Sequence, residues 1–293
     1  YHHPQPLGKM FRAGEIAGYF NDLTAKTQWH GDLDDEGIPV NVLADGRSVH
    51  FVTTIVQKAL GHWDRWLQAG HDTEKQAFVK ICRWLLSAQD DSGGWPVWSA
   101  LGMSVPSSYS AMTQGECASA FVRAWKLTGE AAFAAGAREA IALLCTSVGD
   151  GGTAIVGPQE LFLEELPSNP RSSILNGWVF ALFGLYDVWL ALDDDSARQF
   201  LVRTLDTLKG RLGDYDAGYW SYYDVRGHLT SPFYHDLHIH QLTALSMVDA
   251  DPVHLRYRDR WIAYQQRRSN RVRASCVKAL QKLLEPGEAV IVR

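Results

Sequence analysis

From residue 49 onward, apolar side chains return every three or four positions, which is the period of helices with one buried face. The pattern predicts helices over residues 49–68, 73–88, 111–127, 131–146, 172–192, 195–211, 236–247 and 252–284. Start signals agree with several of them. Asp72-Thr73 and Asp193-Asp194-Asp195 put carboxylates where helix N-termini favour negative charge. Pro252 suits a first helical turn, where its missing N–H costs nothing. The helices pair, and the first three pairs end in the glycine loops Gly93-Gly94-Trp95, Gly151-Gly152-Thr153 and Ala217-Gly218-Tyr219. These recur about every 60 residues, longer than the common helical repeats and suited to long hairpins arranged in a ring. The expected fold is all-α: an incomplete α/α barrel, or toroid, of about four helical hairpins with a funnel at one end. Residues 1–45 lack the period. Gly31 to Val40 reads as loop and short strand. An irregular N-terminal segment over 1–45 and a barrel domain over 46–293 are therefore expected.

Composition narrows the functional classes. At 293 residues and 46% hydrophobic content the chain can bury one large core. A net charge of −5 argues against a nucleic-acid partner held by phosphate contacts, and also against a heavily sulfated polyanion as obligatory ligand. No apolar run reaches the roughly 20 residues of a membrane span, and Tyr1-His2-His3-Pro4-Gln5-Pro6 contains no signal-peptide core. Cys82, Cys117, Cys145 and Cys276 sit apart within apolar helical patterns. They read as four reduced, buried thiols, which favours a cytoplasmic setting.

The candidate chemistry is concentrated in two segments. Tyr215 to Arg226 holds five aromatic rings, two carboxylates and one guanidinium in a single loop. Phe233-Tyr234-His235-Asp236-Leu237-His238-Ile239-His240-Gln241-Leu242 follows it. Aromatic faces, phenols, imidazoles and an anion-binding arginine together suit a sugar acid, with Tyr219 among the rings that would meet it. Trp95 and Trp98, flanking Pro96, suit a sugar-stacking platform. Tyr109, Gln114, Arg171 and Asn176 stand at the starts of predicted helices, where backbone N–H groups favour anions. Arg226 can hold a planar carboxylate bidentately, the alternative being an ion pair with Asp224 or Asp216. His235 would hydrogen-bond substrate and His238 would support a tyrosine or a carboxylate. His238 and His240, two apart, cannot chelate from one helix face, and no third ligand accompanies His235 and His238. Neither a metal nor another cofactor is expected. Arg256, Arg258, Arg260, Arg267, Arg268, Arg271 and Arg273 form a basic stretch, read as a solvated helix face or as an exosite for an acidic glycan.

Tyr-Asp-x-Gly followed by Tyr223-Asp224-Val225-Arg226, and Tyr234-His235 followed by His238-Ile239 and Gln241-Leu242, resemble the D-glucuronyl C5-epimerase family. Ser110-Ala111-Met112-Thr113-Gln114-Gly115, Glu164-Glu165-Leu166-Pro167, Ser172-Ser173-Ile174-Leu175-Asn176-Gly177 and Gly184-Leu185-Tyr186-Asp187 match in the same order. The clear likeness covers roughly residues 105–250, and a weaker one reaches back to about residue 46. The resemblance implies an α/α-barrel catalytic domain that inverts C5 of D-glucuronyl units to L-iduronyl units in a heparosan-like or other uronic-acid glycan. It implies acid/base roles for Tyr223 and Tyr234, and for Glu165 as a base. The family pattern Glu-Glu-Tyr-Pro carries Leu166 here in place of its tyrosine, so one proton-transfer group of the family is missing. An apolar Leu166 beside the substrate would desolvate Glu165 and strengthen it as a base. Two other readings stay open: a polysaccharide lyase using the same carbanion, and a uronate-binding module without turnover. Closure of the ring by a second copy, a homodimer, is also left open.

Overall fold

The computed structural model describes residues 3–284; residues 1–2 and 285–293, the outer ends of the two expected segments, lie outside the described residues. Among the described residues there are ten α-helices: α1 (Val52–Ala69), α2 (Asp72–Ser87), the single-turn α3 (Val97–Ala100), α4 (Ala111–Thr128), α5 (Ala131–Cys145), α6 (Leu175–Leu192), α7 (Asp195–Arg211), α8 (Pro232–Val248), α9 (Pro252–Gln266) and α10 (Arg268–Leu284). Five short strands are all antiparallel: β1 (Asp32–Leu33), β2 (Pro39–Val42) and β3 (Ser48–Val49) form one small sheet, β4 (Ala154–Val156) and β5 (Leu161–Leu163) a hairpin.

The expected pairing of helices is present. α1 packs on α2, α4 on α5, α6 on α7 and α8 on α9. The first members of these pairs also touch in series, α1 to α4 to α6 to α8, so they form the inner layer and their partners the outer one. Close approach of α4 and α6 is set by two glycines. A Cβ on Gly184 would stand 2.4 Å from the Gly115 Cα, so neither position accepts a side chain without parting the helices. α6 is apolar on nearly all faces because it is the central helix, buried over 78% of its length; on length and composition alone it would also serve as a membrane span.

The segment before the helices packs into the same core. Phe11, Ile16, Tyr19, Phe20 and Leu23 are buried with residues of α1 and α6, and Phe20 stacks on Phe183 at 3.9 Å. Arg123, fully buried on α4, bonds to Asp187 at 2.5 Å and donates to the carbonyl oxygens of Ala17 and Gly18. That buried charge pair ties the segment to α4 and α6.

Four boundaries differ from the periodicity. α1 starts at Val52 rather than at residue 49, which belongs to β3. The helix expected over 252–284 breaks at Arg267, whose extended backbone (ψ 118°) separates α9 from α10. The break lets α10 fold over the loop at 217–230, where Gln281 bonds both Leu229 N–H and the Gly227 carbonyl. α6 starts at Leu175 rather than at residue 172, because Ser173 has a left-handed backbone (φ 42°) held by Glu164. α8 starts at Pro232 rather than at 236: Ser231 caps the Tyr234 N–H and proline takes the first turn. The thiols also depart from expectation. Cys82 and Cys117 are buried, Cys145 is half-buried, and Cys276 on the outer face of α10 is exposed.

Candidate active site

The N-terminal turns of the inner helices α1, α4, α6 and α8 converge on one cavity of about 190 Å³. Phe51, Thr53 and Gln57 enter it from α1 and the residue before it. Ser110 and Met112 come from the start of α4, Asn176 and Phe180 from α6, and Phe233, Tyr234 and Leu237 from α8. Trp98 of α3 and Glu165 of the segment after β5 complete the wall, and Gln5 and Lys26 enter from the N-terminal segment. At roughly 30 Å³ per water, the space matches one sugar ring rather than a chain. Four helix N-termini facing one site favour an anion there.

The two adjacent glutamates have different surroundings. Glu164 is fully buried and accepts from Ser173 N–H at 2.9 Å, Ser173 Oγ at 2.6 Å and Ser172 Oγ at 3.2 Å. Its carboxylate braces the turn into α6. Glu165 faces the cavity, and its backbone carbonyl accepts from Trp98 Nε1 at 3.0 Å. Burial, then the Glu164 charge, push the Glu165 carboxyl up to about 8. Asn176 Nδ2 approaches Glu165 Oε2 at 3.4 Å, while the Asn176 Oδ1 is buried without a hydrogen-bond partner. Leu166 is not among the residues that line the cavity.

Tyr234 lines the cavity and Tyr223 stands behind it. Their rings meet edge to face at 4.9 Å and the hydroxyls are hydrogen bonded to each other. Tyr223 is placed by backbone bonds to the α6 turn: Leu175 N–H donates to the Tyr223 carbonyl and Val225 N–H to that of Ser172. Burial, then Glu165 and Tyr234, hold the Tyr223 phenol well above its ordinary value, so it is a proton donor near neutrality.

Several sequence-level assignments move away from the ligand. Trp95 is 1% exposed and donates its indole N–H to the Leu85 carbonyl, leaving only Trp98 of the expected stacking pair at the cavity. Gln114 is buried and bonds the Gly93 and Ala140 carbonyls, and Tyr109 donates to Asp90, so both hold the Gly93 loop. His235 and His238 are fully buried. Ser221 Oγ bonds both Nδ1 atoms, His235 Nε2 donates to the Trp261 carbonyl, and Trp220 stacks on His235 at 3.7 Å. Burial pushes His235 down to about 4 and His238 to about 3, so both are neutral struts pinning the 217–230 loop to α8. Tyr219 lies in that loop's own cluster, under the Arg273 guanidinium at 3.7 Å. Arg171 stacks on Phe162 at 3.8 Å. Arg226 is exposed and donates to the Arg171 and Pro170 carbonyls and to Ser168 Oγ, outside the cavity wall. Its side chain pairs with neither Asp224, which instead bonds His228 at 2.6 Å, nor Asp216, which pairs with Arg260.

Lys26 and Gln57 line the cavity without a sequence signal as ligands, and Glu116 is bonded to Gln57. Glu116 of α4 is fully buried, and Oε1 accepts from Gln57 Nε2 at 3.0 Å while Oε2 has no hydrogen-bond partner. Burial pushes Glu116 up to about 8. Lys26, near enough to Glu116 to interact with it electrostatically, is pushed down to about 8 by burial.

The family model described as D-glucuronyl C5-epimerase C-terminus matches residues 89–263. The D-glucuronyl C5-epimerase of Caenorhabditis elegans is 30% identical over 219 residues, 66% of this chain and 35% of that protein. An uncharacterized protein of Methanocaldococcus jannaschii is 28% identical over 155 residues, 52% of this chain and 50% of the relative. The matched part thus spans between a third and a half of these curated relatives. Since the family match runs from the loop before α3 through most of α9, and so takes in both glutamates and both tyrosines, the chain belongs to the D-glucuronyl C5-epimerase family.

Proposed function

We propose that this chain is an isomerase that inverts C5 of D-glucuronyl units in a uronic-acid glycan, a heparosan-like chain being the first substrate to try. The observation that carries the reading is that the Glu165 carboxyl and the Tyr234 phenol, from separate elements, face one ring-sized cavity walled by Phe51, Phe180, Phe233 and Trp98. Glu165 as carboxylate removes the C5 proton. The C–H electron pair moves into the substrate carboxylate, giving an enediolate dianion. Tyr234 returns a proton to the other face of C5, and Tyr223, hydrogen bonded behind it, supports that transfer. A carboxyl held near 8 is a stronger base than an ordinary one once it ionises, and the low-polarity walls exclude competing water. Four helix N-termini favour the negative charge that builds up on the substrate. The test is incubation with N-acetyl and N-sulfo heparosan in deuterated water, followed by NMR. Deuterium at C5 with appearance of iduronyl signals is the expected result. An unsaturated product absorbing in the ultraviolet would make the chain a lyase, and neither signal would leave it a binding module.

A further inference from the structure

An enediolate intermediate needs a cation at the substrate carboxylate, and Arg226, the residue that sequence reasoning offers, is engaged outside the cavity. Among the described residues that line the cavity, Lys26 is the one Lys or Arg. It belongs to the 3₁₀ turn Thr24–Thr27 of the N-terminal segment, not to the barrel helices.

That turn is held firmly. Asp22 Oδ1 accepts from Thr24 N–H at 2.9 Å and from Thr24 Oγ1 at 2.5 Å. Lys58 of α1 donates to the Thr27 carbonyl at 2.6 Å, and Arg65 to Thr27 Oγ1 at 3.1 Å. Asn21, buried, bonds the carbonyl of Gln5, the second cavity residue from this segment. The segment therefore presents Lys26 to the cavity from a fixed backbone, so little ordering cost remains for binding.

We propose that Lys26 is the residue that receives the uronate carboxylate, so that the segment preceding the barrel supplies the charge recognition of the site. The inference rests on the reading that the ligand is a uronate. Glu165 lines the same cavity as Lys26, and the buried Glu116 is near enough to Lys26 to interact with it electrostatically. An arriving carboxylate brings a counter-charge to the ammonium, which then stands where negative charge grows as the C5 proton leaves. The buried, unpartnered Asn176 Oδ1 on the opposite wall is a hydrogen-bond acceptor that a sugar hydroxyl would satisfy.

The experiment compares methyl β-D-glucuronide with methyl β-D-glucoside, which differ only at the carboxylate, by NMR titration of the intact chain. Wild-type protein is expected to prefer the glucuronide. Lys26→Met should weaken the glucuronide by about tenfold or more and change the glucoside by less than about twofold. Lys26→Arg should restore most of the preference. Lys26→Gln repeats the test if the Met variant melts early. Equal losses for both ligands, no preference in the wild type, or a preference that follows Arg226→Ala instead would overturn the proposal. The two readings fail separately. Lys26-dependent glucuronide binding without C5 exchange sinks the epimerase reading and keeps the recognition. C5 exchange with unchanged KM in Lys26→Met does the reverse.

Discussion

Gly177 is the seat of Glu165. A Cβ added at Gly177 would lie 2.1 Å from Glu165 Oε2 and 2.5 Å from its Cβ. The third position of α6, in its first turn, is therefore empty of side chain so that a carboxylate can rest against the helix N-terminus. Burial against the helix, and after it the neighbouring Glu164 charge, raise the Glu165 pKa.

Gly177→Ala should therefore act as an indirect Glu165 mutation. C5 exchange is expected to fall by about a hundredfold, because an ångström-scale displacement of a base is that costly. Overpacking should also cost about 1–3 kcal/mol. Melting temperatures of the double-mutant cycle with Glu165→Ala check the cause. In the Glu165→Ala background, Gly177→Ala should cost little, and full additivity would show that the glycine acts elsewhere.

The neighbouring glutamates should separate cleanly. Glu165→Gln is expected to lower exchange by at least about a hundredfold while the melting temperature holds or rises, since it removes a desolvated acid. Glu164→Gln puts amide hydrogens against the three donors from Ser172 and Ser173, so it should cost about 2–4 kcal/mol of stability. Thermal melts of the two variants side by side are enough. A stable Glu164→Gln protein would contradict the bracing role.

The tyrosines are ranked by position. Tyr234 lines the cavity, whereas Tyr223 packs against Tyr234 and is not among the lining residues. Tyr234→Phe should lower turnover by about a hundredfold and Tyr223→Phe by about tenfold. Initial rates of deuterium incorporation decide between this order and its reverse. Unchanged rates in both variants would remove the phenols from the mechanism.

These contrasts show what was legible in the chain. Helical period and paired glycine loops carry the four hairpins, because burying one face of each helix is a local, periodic demand. The β4–β5 hairpin was not legible: Leu161-Phe162-Leu163 is buried on all sides and too short to alternate. The break at Arg267 was hidden because nothing in a polar run marks a bend whose purpose is contact with a distant loop. At the site, motif residues Glu165, Tyr223, Tyr234 and Asn176 come together. Gln114, His235 and His238 share those motifs but turn away to satisfy loop backbone and loop hydroxyl groups. A polar residue in a motif is as easily a strut as a ligand, and sequence order does not separate the two. Lys26 and Gln57 reach the cavity only through tertiary convergence.

Glu116 gives the last expectation. It is a fully buried carboxyl with one oxygen lacking a hydrogen-bond partner, an arrangement that packing alone does not favour. Its folded pKa of about 8 lies above the unfolded value of about 4.3. Between those values the folded state keeps a proton that the unfolded chain has released. The stabilising share of protonated Glu116 is thus complete below about pH 4 and is lost as pH rises through about 8. Gln at this position stays neutral, and its Oε1 can still accept from Gln57. Glu116→Gln should melt close to wild type at pH 5 and gain at least about 1 kcal/mol over it at pH 9. Subtracting the two melting curves removes the slopes of Glu165 and of Asp64, which burial pushes up to about 7, because both variants share them. A stability difference that stays constant from pH 5 to 9 would mean that Glu116 is already ionised in the folded protein, held so by Lys26. In that case the pair is a fixed buried ion pair, and Lys26→Met alone should be strongly destabilising.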